Sequence, residues 1–369
     1  MSKRFVYFLF FCFAFLIFSC KKSKQTEIPE TISVSLNEAV NLFKKNLYKN
    51  KIDSVFAKYD FNGSIAVFQD SVLLARKDVG FEDFNSKTEI SDQTIFAIGS
   101  VSKQFTAVLI LQLTESGKLK LDDKVSQYLS DFQNKDYENI TVQQLLNHTS
   151  GISDSGNGLL FKSGSGFSYS NKGFYFLGKL IEKVSGKDLN ENYAELFRKA
   201  GMKNTYTAEN FTGNHFAGTY LGNPKKFQKV ENMPKRLAEK SISISAGGIL
   251  STVDDLHLWN QALYSGKLLN SESLKQFENK SADRNHPIFG KMGYGFGIMM
   301  STGKPDSFFH SGYVKGSPSL NIYYPESKIS IIILSNIADE SAGKNTIFKP
   351  HREMKDFADG IEIVKIDFE

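Results

Sequence analysis

An α/β (α+β) protein, with one antiparallel sheet drawn from both chain ends and a helical lobe inserted between them, is predicted by three observations. Two β-type runs flank Gln69-Asp-Ser71 near the start, in the pattern of a hairpin. A second series of short β-rich runs stands near the end, at Gly293 to Met300, Ser307 to His310, Ser319 to Tyr324 and Ile329 to Leu334. Between them, over about residues 121–263, helical patterns and loops dominate. No internal repeat and no low-complexity segment interrupts this order.

Taken from the start, Met1-Ser-Lys-Arg4 is a short basic leader, Phe5 to Phe18 is an unbroken apolar run holding Cys12, and Ser19-Cys20 ends it. The run is short for a bilayer span and reads as a secretory signal. The chain therefore divides into a signal at 1–19, a polar tether at 20–35 and a folded domain at 36–369. Leu16-Ile-Phe-Ser-Cys20 resembles a bacterial lipobox, which implies acylation of Cys20; an ordinary signal peptide and an uncleaved anchor are the alternatives. Each of them exports the domain, and the lipobox reading expects a membrane-anchored lipoprotein on a periplasmic or cell-surface face.

With Cys12 removed and Cys20 acylated, the domain has no thiol for a disulfide or a cysteine-ligated metal. Loss of Lys3 and Arg4 lowers the formal charge from +5 to +3, with 43 basic against 40 acidic residues. That near balance, with lysines spread along the chain, argues against nucleic acid as a partner. A monomer is expected, touching the membrane through its N-terminal lipid, with the small basic cluster at Lys21, Lys22 and Lys24 either a solvated linker or a contact for anionic lipid.

Within the domain, apolar residues at Leu36, Val40, Phe43, Leu47, Ile52, Val55 and Phe56 predict a leading helix to Tyr59, with a break near Asn50. The hairpin follows over Asn62 to Gly80. Gln104 to Glu115 is apolar on nearly every side and predicts a buried helix ended by Gly117. The tail from Ala338 predicts a helix against the sheet and a last strand at Gly360 to Asp367.

The buried helix opens on Ser100-Val-Ser-Lys103. Residues three apart are neighbours on a helix, so the Lys103 amine lies over the Ser100 hydroxyl, at a helix start that favours a developing oxyanion. Burial lowers an amine pKa, the condition for lysine to accept a proton from serine near neutrality. Ser-x-x-Lys by itself is weak: it recurs at Ser19/Lys22, Ser301/Lys304 and Ser341/Lys344. Only Ser100/Lys103 opens a long apolar helix.

Other segments give the pair its context. Asp92-Gln-Thr-Ile-Phe96 leads into it, and Leu145-Leu-Asn-His-Thr-Ser-Gly-Ile152 and Ser245-Ala-Gly-Gly-Ile-Leu-Ser-Thr-Val-Asp-Asp-Leu256 follow. With these, the stretch from about Gly63 to Asn336 resembles the serine β-lactamase and penicillin-binding-protein superfamily. The resembling branch holds class C β-lactamases, DD-peptidases, D-aminopeptidases and esterases. The resemblance implies the β-lactamase/transpeptidase fold, an acyl-enzyme mechanism and no cofactor.

It also assigns residues. Tyr169-Ser-Asn171, in the setting Gly164-x-x-Phe167-x-Tyr-Ser-Asn-x-Gly173, corresponds to the family's Tyr-x-Asn. Tyr169 then shares acid and base roles with Lys103, its proton lost more easily beside a charged amine, and Asn171 orients the lysine or the substrate. His310-Ser-Gly312 corresponds to Lys-Thr-Gly on the strand lining the site, and the backbone N–H groups of Ser100 and Tyr313 to the oxyanion hole. No histidine spacing suggests a metal, and His148 is read as fixing its loop. Histidine in place of lysine removes a permanent positive charge, which weakens the case for β-lactam hydrolysis. It fits an esterase, a D-amino-acid peptidase or a carboxypeptidase-like enzyme acting on a small-molecule or peptide acyl substrate. A β-lactamase proper, or a silent penicillin-binding or sensing lipoprotein, is the competing reading.

Overall fold

The structure, a computed structural model, describes residues 30–156, 158–237, 243–341 and 343–366. The signal at 1–19 and Cys20 lie outside the described residues. The chain divides into two units that meet at Leu42 and Phe43. Helix α1 (Glu30–Tyr59) begins inside the segment expected to be tether and shows no break at Asn50. No glycine or proline lies between its ends, and one asparagine costs at most about 0.7 kcal/mol relative to alanine. Among the described residues, no helix is long and apolar enough to cross a membrane.

The second unit is built on an eight-stranded antiparallel sheet. Its strands are β1 (Gly63–Gln69), β2 (Val72–Val79), β3 (Ala282–His286), β4 (Gly290–Tyr294), β5 (Met299–Met300), β6 (Phe308–Val314), β7 (Ser317–Tyr324) and β8 (Ile329–Ser335). Their order is β3-β4-β5-β6-β7-β8-β1-β2, so the early hairpin joins the late strands through β1 and β8, in register from Gly63↔Ser335 to Gln69↔Ile329.

Side chains alternate across a strand, and β8 shows what each face meets. Ile329, Ile331 and Ile333 pack with Tyr48, Ile52, Val55 and Phe56 of α1 and with Met354 and Ala358. Ile332 and Leu334 join the other core, with Phe105, Val108 and Trp259. That second core holds the lobe helices: α2 (Lys103–Glu115), α3 (Asn171–Ser185), α4 (Leu189–Ala200) and α5 (Val253–Tyr264).

The tail brings a further correction. Residues 360–366, expected as strand, continue helix α6 (Lys349–Ile366), because Met354, Phe357, Ala358 and Ile361 recur at helical spacing against the sheet. Glu353 ties this helix to α1, accepting from Lys51 Nζ at 2.7 Å, Lys58 Nζ at 2.6 Å and Tyr59 Oη at 2.6 Å. Strand β3 was not expected at all: Ala-Asp-Arg-Asn-His is a partly exposed edge with no apolar alternation to announce it.

Between α5 and β7 the core holds a reciprocal amide pair. Asn260 Nδ2 donates to Asn321 Oδ1, and Asn321 Nδ2 donates to Asn260 Oδ1, each at 2.8 Å and both side chains buried. Truncating one partner leaves the other's polar atoms desolvated. Asn321→Ala is expected to lower the unfolding free energy by about 1–3 kcal/mol, read from the urea midpoint at constant slope. An unchanged midpoint would show that the pair adds nothing.

Candidate active site

Ser100 lies in the tight turn Gly99–Ser102, which runs directly into α2. Its lead-in is anchored on both sides. Phe96 and Ala97 pair with Ser251 and Leu250, and the buried Thr94 hydroxyl donates to Glu82 while receiving Ser91 N–H at 2.8 Å. Asp92 is exposed and takes no part.

Strand β6 comes against this turn with no room for a side chain between them. A Cβ at Gly312 would stand 1.9 Å from Ile98 O and 2.9 Å from Ser100 N; one at Gly99, where φ is +51°, would stand 2.6 Å from Tyr313 N. Glycine alone permits both approaches. The two amides named for the oxyanion hole thus belong to elements in direct contact.

The Lys103 side chain is fully buried. Its Nζ donates to Ala246 O at 2.7 Å and Asn171 Oδ1 at 2.8 Å, and lies 3.3 Å from Ser100 Oγ. The rings of Tyr169 and Phe174 stand 4.7 Å and 5.2 Å from the nitrogen. Burial holds the amine pKa well below its usual 10.5; the Arg284 guanidinium acts in the same direction and Asp154 opposes it.

Asn171 is the first residue of α3, and a carboxylate from a separate loop fixes it there. Asp154 accepts from Asn171 N and Lys172 N at 2.9 Å each and from Ser170 Oγ at 2.7 Å, while Ser170 caps the helix by accepting from Gly173 N. The neighbouring Tyr169 hydroxyl is buried and makes no hydrogen bond of normal geometry. Burial pushes its pKa up to about 12, with Arg284 and the Ser100 hydroxyl pulling the other way. The expectation that this phenol sheds its proton readily is therefore reversed: burial outweighs the nearby Arg284 guanidinium.

His310, on β6, is buried and holds Tyr294 Oη at 3.1 Å through Nε2. Burial, with Arg284 and Lys103, keeps its pKa well below 6.5. The cleft nonetheless contains a cation. Arg284, half-buried on β3, lays its Cζ 4.4 Å from the Tyr169 ring centroid and 5.7 Å from that of Tyr294. Among the described residues no carboxylate pairs with it.

Ser100, Tyr169, Arg284, His310, Gly312 and Tyr313 line one cavity of about 290 Å³ together with the apolar Ile288, Ile347 and Phe348. A larger cleft of about 460 Å³ beside α3 and α4 has no nucleophile set against a base. Sequence reasoning missed Arg284, Asp154, Tyr294 and the Ala246 carbonyl. Only the last had a signal, since it lies inside the Ser245-Ala-Gly-Gly segment.

A family model described as Beta-lactamase matches residues 50–349. The chain is similar to a penicillin-binding protein of Bacillus subtilis (strain 168), 26% identical over 347 residues that cover 83% of this chain and 75% of that protein. It is also similar to a teichoic acid D-alanine hydrolase of Staphylococcus aureus (strain MRSA252), 27% identical over 319 residues, covering 77% and 73%. Among solved structures, D-amino acid amidase from Ochrobactrum anthropi SV3 complexed with L-phenylalanine matches with a TM-score of 0.72 at 21% identity, over 88% of this chain and 99% of that one, a likeness of fold.

Gly312→Ala must push β6 away from the Ser100 turn. It is expected to cost about 1–3 kcal/mol of stability, as overpacking does. Reaction with a serine-directed acylating probe should fall more than stability does; a variant that labels at the wild-type rate would show that the close approach is not needed at Ser100.

Proposed function

The chain belongs to the beta-lactamase family, and on that premise we propose that it is a serine acyl hydrolase working through an acyl-enzyme at Ser100. The observation that carries this reading is the buried Lys103 amine, spent on two carbonyl oxygens with Ser100 Oγ at 3.3 Å in its remaining direction. A neutral amine fits that arrangement: its two N–H groups serve the carbonyls, and its lone pair faces the serine hydroxyl.

In this mechanism Ser100 Oγ attacks the acyl carbonyl carbon as its proton passes to Lys103 Nζ. The backbone N–H groups of Ser100 and Tyr313 receive the oxyanion, where one donor is typically worth about 10²–10³ in rate. Collapse expels the alcohol or amine, which takes up the proton from Lys103 by way of Tyr169. Water then attacks the acyl-enzyme by the same proton path and frees the acid. Tyr169 begins as a neutral phenol, so it carries a proton onward and does not open the reaction as a base. Asn171 holds the amine, and His310 and Gly312 shape the strand beside the substrate.

The substrate class is an ester or amide of a small acyl group. Relatives named for D-alanine and D-amino-acid chemistry support that choice. A second reading, favoured by Arg284, is an acyl donor with an anionic group, including a β-lactam or a peptide ending in D-alanine. The apolar start and Cys20 support export and lipid attachment, which would hold the hydrolase at a membrane face.

A fluorophosphonate is expected to label the wild-type chain and to spare Ser100→Ala. No label, and no turnover of any ester, amide or cephalosporin, would sink the enzyme reading and leave a silent binding protein. Lys103→Arg, always charged, should abolish acylation. Because the deprotonated amine is the active form, kcat/KM of the wild type should rise with pH through the lowered Lys103 pKa and level off well below 10.5, the ordinary lysine value. Arg284→Gln is expected to raise KM for anionic acyl donors about ten- to a hundredfold and to leave KM for a neutral p-nitrophenyl ester little changed, compared on the high-pH plateau where the loss of the guanidinium's effect on Lys103 does not enter. Equal effects on both would remove the second reading.

A further inference from the structure

Behind the cleft runs a chain of hydrogen bonds that the acyl-transfer steps do not use. Ser170 N donates to His148 Nδ1 at 3.2 Å, His148 Nε2 lies 3.1 Å from Tyr294 Oη, and Tyr294 Oη lies 3.1 Å from His310 Nε2. His310 Nδ1 then lies 2.7 Å from the backbone oxygen of Ser311. All three side chains are buried.

The two ends fix the direction of the whole chain. A backbone N–H can only donate, so His148 Nδ1 is bare and its Nε2 carries the proton. A carbonyl oxygen can only accept, so His310 Nδ1 carries the proton and its Nε2 is bare. The Tyr294 hydroxyl must therefore accept from His148 and donate to His310. Every donor meets an acceptor in one protonation state, with both imidazoles neutral. A proton added to His310 Nε2 would set two N–H donors against one phenol oxygen and leave the phenol proton without an acceptor.

We infer that Tyr294 is a positioning residue: with His148 and His310 it forms a neutral, directional clamp across the cleft, joining the Tyr169–Asn171 loop to the strand that carries Gly312 and Tyr313. The clamp's link to turnover rests on the hydrolase reading above. It makes His310 an orienting group on β6 and leaves recognition of any substrate charge to Arg284.

The surroundings act in the same direction. Lys103 on α2 and Arg284 on β3 both disfavour a charge on either imidazole, as do His310 toward His148 and His286 toward His310. The remaining neighbours of His148 are the rings of Phe167, Tyr169, Phe174 and Tyr294, and the Tyr169 ring also stands 6.3 Å from that of His310.

The test is Tyr294→Phe in the full chain, read by histidine side-chain ¹⁵N NMR and by the pH profile of p-nitrophenyl ester hydrolysis. Wild type is expected to show His148 protonated at Nε2 and His310 at Nδ1, both neutral across about pH 5–8, where an ordinary histidine titrates. The variant should keep these tautomers, with the Nε2 signals of both imidazoles shifted by loss of the phenol hydrogen bonds, and kcat/KM at neutral pH should fall about tenfold through kcat. The opposite tautomers, or a charged imidazole in the wild type at neutral pH, would overturn the inference whether or not the variant folds. So would a variant whose stability falls while both Nε2 signals and kcat stay in place. If wild type hydrolyses no acyl substrate, the hydrolase reading fails and the tautomers still decide the clamp.

Discussion

A lysine amine taken wholly out of water is the constraint on which the rest of the structure depends. An ammonium ion buried without a partner is too costly to keep, so the group sheds its charge or is given acceptors. Around Lys103 both responses operate together. Burial favours the neutral amine, and two carbonyl oxygens, from Ala246 and Asn171, take its N–H groups. Each acceptor needs scaffolding of its own. The Ala246 carbonyl sits on the short turn Ile244–Gly247, against which α3 packs at Gly178, where a Cβ would come within 2.7 Å of Ser245 Oγ. The Asn171 amide depends on a helix start fixed by Asp154. Much of the helical lobe thus serves to keep one nitrogen solvated by protein.

The sheet contributes the other half through close approach. Gly99 and Gly312 let β6 and the Ser100 turn touch backbone to backbone, bringing the two proposed oxyanion-hole amides side by side. Arg284 and the apolar Ile288, Ile347 and Phe348 then give the cleft a mixed lining, cationic and greasy. The guanidinium is a positive charge that histidine at position 310 does not supply.

The parts legible in the sequence are those in which chemistry and its local setting are contiguous. Ser100 and Lys103 share one turn of one helix, Tyr169 and Asn171 share one loop, and the β-rich runs around Ile331 are apolar enough to declare themselves. What escaped depends on tertiary approach. Arg284 sits on a polar edge strand between Asp283 and Asn285, and Asp154 acts on residues 16 to 18 positions away. Tyr294 matters only because two distant histidines converge on it. The tail was misread because Ile361 and Ile363 alternate like a strand over a few residues, and only the longer run from Met354 shows the helical period.

The pairing of β1 with β8 also bears on how the molecule comes into being. Gly63 has Ser335 as its partner, so the central ladder joins segments at opposite ends of the chain. A growing chain presents its first hairpin with one edge bare until residues 329–335 have been made, the situation in which stray strand pairing threatens. Ser100 and Lys103 are made early, but the strand bearing Gly312 and Tyr313 arrives some two hundred residues later. On the acyl-hydrolase proposal, topology alone would keep Ser100 idle until β6 has been made.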